Sequence, residues 1–338
     1  MRGKKQFAAI DIARYISALL VVCIHVYPFV GISETFNTYF IQTVCRLAVP
    51  FYFTVSGYFF FRKWSKDESE NEHHFRHYIV RIGKLYLIWS VIYLPYTIWN
   101  YASAGFSFMD IFSYIRDFFM TGSYYHLWFL PSLIVGMFIV YECYRRKGLS
   151  FTLKISLILY LIGYVINVYA PIWENTPYVS ILYGFFTKTI VTARNGLFFG
   201  PIYLALGLLL ARTRRLKVKA SLSAFLISFI LLCLEVTLYI RLGIMYDLSS
   251  MFLMLVPATY FLVNALLAVR IPYRKQYTIM RYDSLLIYTS HILFVKVLLL
   301  VMPNANLVVY FATLALSQLF ASIIVRAKET YPIFNNLI

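Results

Sequence analysis

Apolar residues run along this chain in blocks of roughly twenty, separated by short basic segments. Ten such blocks can be marked off, at 8–30, 38–61, 85–101, 126–144, 151–170, 194–211, 220–240, 247–269, 284–302 and 305–325. At about 1.5 Å of rise per residue, each is long enough to cross a hydrocarbon core of about 30 Å as a helix. The pattern predicts an all-α, polytopic membrane protein of about ten transmembrane helices, with residues 1–338 forming a single transmembrane domain. The segment 102–125 is different: Phe106, Phe108, Ile111, Phe112, Ile115, Phe118 and Phe119 make an amphipathic face suited to lying in the interface. Internal repeats and low-complexity tracts are absent from the sequence.

Charge sets the orientation. If both termini are cytoplasmic, the inside segments hold 24 of the 31 lysines and arginines, an asymmetry that follows the positive-inside rule. A chain that is 61% hydrophobic and 13% charged is no ordinary soluble domain. Its net charge of +17 therefore reads as topology rather than as a nucleic-acid footprint, and its 19% aromatic content suits interfacial belts. The basic flank Met1 to Lys5 precedes an apolar run too long for a signal h-region, so that run is expected to persist as the first membrane helix. Cys23, Cys45, Cys143 and Cys233 lie in or at the ends of apolar blocks without metal-ligand spacing and read as packing thiols.

Ionisable residues inside apolar blocks are the chemical signal, because each costs at least about 2.5–3.5 kcal/mol in hydrocarbon. Arg14 and His25 are eleven residues apart in the first block. At about 100° per residue this brings them within roughly 20° of one face, about 16 Å apart along the axis. Asp11 shares the stripe. One reading is a functional site within the bilayer. The other is a local i,i+3 ion pair between Asp11 and Arg14, with His25 a hydrogen-bonded packing residue.

Further polar residues extend the pattern. Arg46 lies in the second block, toward its outer half, and Pro50, Ser56 and Gly57 mark a bend whose freed carbonyls could line a cavity or simply bind the arginine. His126 and Trp128 open the fourth block, where belt residues are common. Arg194 and Asn195 stand at the outer start of the sixth. Ser284, Tyr288 and His291 share a helix face in the ninth. Together they describe a polar lumen between helices. In the loop after the second block, Arg76 and Arg81 could receive phosphates or anchor to anionic lipid, while His73, His74 and His77 read as a solvated run. No Walker loop, zinc-histidine pair, serine elbow or close intramembrane carboxylate pair is present, which excludes the corresponding hydrolases and pumps.

These residues resemble the acyltransferase-3 family of bacterial membrane O-acyltransferases. The resemblance runs from Asp11, Arg14 and His25 through Arg46 with Val49-Pro50-Phe51 and Ser56-Gly57, then His126-Leu127-Trp128-Phe129, Arg194-Asn195-Gly196, and Ser284 with Tyr288 and His291. It implies a ten-helix bundle in the bacterial cytoplasmic membrane. Such a bundle passes an acyl group, usually acetyl, from cytoplasmic acyl-CoA as co-substrate to a hydroxyl of an extracytoplasmic sugar or cell-surface polymer, with no bound cofactor or metal. On that pattern Arg14 helps to hold the donor, with Arg76 and Arg81 on the CoA phosphates. His25 matches the essential catalytic residue of that pattern; chemically it is expected to act as general base in preference to forming a covalent acyl-histidine, with Arg46 stabilising the oxyanion or orienting the thioester and His126 and Arg194 on the acceptor side.

The stretch Thr192 to Ile202, with Arg46 to Gly57, is also similar to the membrane domain of the serine racemases associated with vancomycin resistance. In those proteins the acyltransferase-3-like region precedes a cytoplasmic racemase domain and is proposed to bring in serine. The segment here ends at Ile338 without a pyridoxal-phosphate domain, so racemisation is not expected of it. Passage of a zwitterionic amino acid, with Arg46 or Arg194 on its carboxylate, is the alternative to acyl transfer.

Overall fold

Backbone amides and carbonyls in hydrocarbon must be paired within their own segment, so apolar blocks of this length become helices. The computed structural model describes residues 7–246, 249–303 and 305–338. The basic flank Met1 to Lys5 and the beginning of the expected 247–269 block lie outside the described residues. In chain order the helices are α1 (Ala8–Val26), α2 (Glu34–Thr43), α3 (Ala48–Phe61), α4 (Glu68–Ala104), α5 (Phe108–Met120), α6 (Phe129–Val168), α7 (Ala170–Asn175), α8 (Val179–Thr189), α9 (Gly200–Arg212), α10 (Val218–Arg241), α11 (Leu255–Ala268), α12 (Lys275–Val301) and α13 (Asn306–Thr330).

Among the described residues, seven stretches are long and apolar enough to cross a membrane, counting Glu34–Phe61 as one, and α9 and α11 are shorter apolar helices. The chain is therefore an all-α, multi-pass membrane protein. α6 is two helices joined at Gly148, whose φ of 75° and ψ of −174° lie outside the helical region and suit a residue without Cβ.

Several boundaries differ from the hydropathy pattern, each for a local reason. The 62–84 segment is not a loop: α4 starts at Glu68, capped by the Asp67 carboxylate on the Ser69 amide. The Ser69 hydroxyl and amide hold that carboxyl below its ordinary range. Hydropathy marks only the part of a helix that meets lipid, and a charged extension stabilised by pairs such as Glu72–Arg76 escapes it. The expected 145–150 connection is likewise helical except at Gly148. The 38–61 block is broken into α2, a 3₁₀ turn at Cys45–Leu47, and α3. Pro50 is the cause, because its ring clashes with the carbonyl four residues back, that of Arg46. Between the 151–170 and 194–211 blocks the chain forms α7, which begins at the last residue of the first of them, and α8.

The chain divides into two compact units: the described residues of Met1–Val55, Arg214–Val236 and Met254–Ile338, and those of Ser56–Thr213 and Thr237–Leu253. In the first, α1 packs on α12 and α13 through Ala18, Val22 and Val26 against Ile287, Val295 and Val309. Polar side chains tie further helices together: Asn264 donates to the Ser221 hydroxyl at 2.6 Å, and the Glu235 carboxylate accepts the Met254 amide at the start of α11 at 2.8 Å.

In the second unit α6 packs on α9. Tyr160 donates to the Phe252 carbonyl at 2.8 Å, and the Asn167 amide oxygen accepts the Ser250 and Met251 amides. α5 begins with a Ser107–Asp110 capping box and exposes Phe108, Phe112, Ile115 and Phe119, the face the sequence marks for the interface. α8 exposes Ile181, Leu182 and Phe185 similarly. The Arg116 guanidinium, on α5, donates to the Lys188 carbonyl of α8 at 2.9 Å.

Small residues let backbones approach within the second unit. A Cβ added at Gly57 would sit 2.3 Å from the Leu204 carbonyl oxygen, which cannot rotate away. Gly57→Ala is expected to destabilise the protein by about 1–3 kcal/mol through overpacking. Gly184→Ala, with nothing within 4 Å of the new methyl, should be neutral. Thermal unfolding of the two variants in one detergent checks the difference.

Candidate functional site

In the first unit, α1 carries three of the residues singled out above. Asp11 is buried, and its carboxylate accepts from the Arg14 guanidinium at 3.0 Å, an i,i+3 ion pair in which the two side chains are 7% and 18% exposed. The Tyr52 hydroxyl, from α3, donates to the Arg14 carbonyl, pinning α1 to α3 at this level. α1 ends at Tyr27, which adopts a left-handed conformation with φ of 53°. There the Asn306 side chain donates to the Val26 carbonyl at 2.8 Å, satisfying a group the helix cannot pair itself.

His25 lies in the last turn of α1, half-buried, and its ring centroid is 5.2 Å from that of His291 on α12, with the rings tilted by 36°. His291 is fully buried. Its Nδ1 is 2.8 Å from the Tyr288 carbonyl and 3.0 Å from that of Ile287. Carbonyls only accept, so Nδ1 carries the proton, and in the neutral ring the lone pair sits on Nε2.

Arg46 lies in the 3₁₀ turn and is 7% exposed. Its Nε donates to the Gln42 amide oxygen at 2.8 Å. Cys45 of the same turn packs with Ile41 against Cys23, two residues before His25. The turn that carries Arg46 therefore meets α1 within about one helical turn of His25. Ser284 is buried and donates to the Arg281 carbonyl at 2.8 Å, and Tyr288 is buried on the same helix.

Two partners escaped the sequence reading. Asp283 is buried on α12 and accepts from the Gln318 amide at 2.9 Å, while Gln318 accepts from the Tyr15 hydroxyl at 2.7 Å. This chain of hydrogen bonds ties α1, α13 and α12 one residue beyond Arg14. Its sequence signal was an acid at the edge of an apolar block and a glutamine within another.

The second unit holds the remaining residues. His126 is 1% exposed, and its ring meets the Tyr93 ring edge-on at 4.7 Å. The Arg194 guanidinium lies over the Trp128 ring, 4.9 Å from its centroid, a cation–π contact between two side chains 66 positions apart in sequence. Asn195 acts on its own backbone: its amide oxygen accepts the Leu197 and Phe198 amides, and its nitrogen donates to the Thr192 carbonyl. Next to it, Gly196 admits the close approach of Ser132 and Val135. Arg76 and Arg81 are exposed on α4, and Arg76 pairs with Glu72 at 2.6 Å.

Residues 7–326 match the family described as an acyltransferase domain, of the acyltransferase-3 type. Curated relatives include an amino-acid racemase of Enterococcus faecalis, 32% identical over 64% of this chain and 31% of its own length. A serine/alanine racemase of Enterococcus gallinarum is 28% identical over 95% of this chain and 46% of its own length. The chain thus spans less than half the length of these relatives. No solved structure matches.

The buried Asp11–Arg14 pair has a consequence for stability. Removing the Asp11 carboxylate takes an ionic partner from a largely buried guanidinium, so Asp11→Asn is expected to cost about 3–5 kcal/mol. Adding Arg14→Gln to Asp11→Asn should recover part of that loss. Unfolding of the two single variants and the double variant measures the coupling.

Proposed function

The chain belongs to the acyltransferase-3 family, and from that premise we propose that it moves an acyl group, usually acetyl, from acyl-CoA on the cytoplasmic side to a hydroxyl of an extracytoplasmic sugar or cell-surface polymer. In this reading ten helices cross the bacterial cytoplasmic membrane and both termini face the cytoplasm. The observation that carries it is the placement of half-buried His25 beside His291, on the helix that holds Arg14 and Asp11, with the turn of Arg46 packed against that helix.

Chemically, neutral His25 takes the proton of the acceptor hydroxyl as its oxygen attacks the thioester carbonyl. The tetrahedral oxyanion is stabilised by Arg46, and collapse expels the CoA sulfur, which receives the proton from His25. His25 rather than His291 is assigned as base because it is the more exposed of the two rings. Asp11 fixes the Arg14 guanidinium, which holds the donor.

In lipid nanodiscs, His25→Ala is expected to lower CoA release from acetyl-CoA in the presence of a hydroxyl acceptor by about 10²–10⁴-fold. Acetyl-CoA binding should be retained, and Arg14→Ala should weaken it. Unchanged turnover in His25→Ala would sink the assignment. The racemase names of the relatives support a second reading, passage of serine or alanine through the polar lumen. Saturable serine uptake into liposomes without acetyl-CoA binding would favour it.

A further inference from the structure

The second unit contains an open groove of about 430 Å³, within the size range of small-molecule sites. Its walls come from the segment between α3 and α4, from the first turn of α4, from the middle of α6 and from the end of α9. They include Trp64, Lys66, Glu68, Tyr144, Arg145 and Arg212. Three cations against one carboxylate give it a positive character, and two aromatic rings give it flat apolar surface.

The wall is built. Asn71, buried at the start of α4, donates to the Ser65 carbonyl and accepts the Ser65 amide, both at 2.9 Å. Lys66 therefore follows a residue whose backbone is fixed twice over. The Trp64 and Tyr144 rings meet edge to face, 4.8 Å between centroids. The cations differ in their commitments. Arg145 is held by Glu68 at 2.9 Å and Glu142 at 3.0 Å. Arg212 lies over the Tyr144 ring at 5.7 Å and donates to the Trp64 carbonyl at 3.4 Å, and no carboxylate pairs with it or with Lys66 among the described residues. A planar fork resting on a ring, beside a lysine and with no acidic partner, suits a phosphate.

We propose that this groove binds the phosphate-bearing nucleotide end of a ligand, with Arg212 and Lys66 on phosphate oxygens and the base against Trp64 and Tyr144. The choice of nucleotide rests on the acyl-CoA reading above, from which CoA is the ligand expected. The phosphate contacts then fall to Arg212 and Lys66, which line the groove, in place of Arg76 and Arg81, which do not. Arg145 serves as a positioning residue that ties α6 to the start of α4.

The test is equilibrium binding of CoA and of ADP to the full chain in nanodiscs of neutral lipid, for wild type, Arg212→Ala and Lys66→Ala. Lys66 is exposed, so its truncation removes charge with little packing and keeps the test sound if Arg212→Ala folds poorly. Both ligands are expected to bind wild type competitively, and each variant should weaken both by about ten-fold, the loss of one charge-assisted hydrogen bond. Wild-type affinity for CoA in both variants would overturn the groove assignment and leave the donor reading standing. Binding of ADP that depends on Arg212, with no binding of CoA, would keep the nucleotide site and remove the donor reading. Absence of nucleotide binding, with Arg212-dependent retention of phosphatidylglycerol through purification, would overturn the proposal in favour of a lipid headgroup.

Discussion

A backbone that crosses hydrocarbon must pair its own amides and carbonyls, and every other feature of this chain is arranged around that constraint. Where the helix continues, side chains are free to be apolar and to face lipid. Where it breaks, the irregular turn has to be covered by protein. The 3₁₀ turn at Cys45–Leu47 shows the second case: all three residues are buried, and they sit against α1 through Cys23. Pro50 breaks the helix and burial makes the break tolerable. The result is an arginine held well inside the protein, its Nε fixed by the Gln42 side chain one turn earlier.

The same economy governs the polar groups on α1. An isolated guanidinium in this setting would be costly, and the Asp11 carboxylate 3.0 Å away offsets part of that cost from within the same helix. Local pairing of this kind leaves the opposite end of α1 to be fixed by tertiary contacts. Asn306 closes the end of the helix through the Val26 carbonyl, and apolar packing against α12 sets the rotation that brings His25 toward His291.

Legibility in the sequence followed the range of the interaction. Hydropathy located the apolar helices because burial in lipid is a property of the segment itself. The face shared by Asp11, Arg14 and His25 was readable because helical periodicity is local. The break at Arg46 was also local in cause, since a proline acts four residues upstream, but the apolar run across it masked the interruption. The charged start of α4 was hidden for the opposite reason: ion pairs and caps stabilise helix where hydropathy falls. The approach of the His25 and His291 rings spans 266 positions and depends on how α1 and α12 dock, which no periodicity encodes. Asn195 stood out for its company with Arg194, yet the structure employs it to turn its own backbone. Asx turns of this sort read in sequence exactly like polar site residues.

The two histidines are not equivalent, and the difference comes from the backbone. In a helix the carbonyls of residues i−3 and i−4 lie within reach of a side chain at i, and His291 directs Nδ1 at both. This anchors the imidazole and sets its tautomer, so its orientation varies little while α12 holds its shape. His25, in the last turn of α1 and more exposed, has an environment that a ligand can alter. A fixed ring beside an adaptable one suits a division of labour in which His291 shapes the space and His25 exchanges the proton. That division requires the end of α1 to stay where Asn306 and the cysteine-lined contact with the Arg46 turn put it. The chemistry proposed for His25 thus depends on the same burial of irregular backbone from which the fold begins.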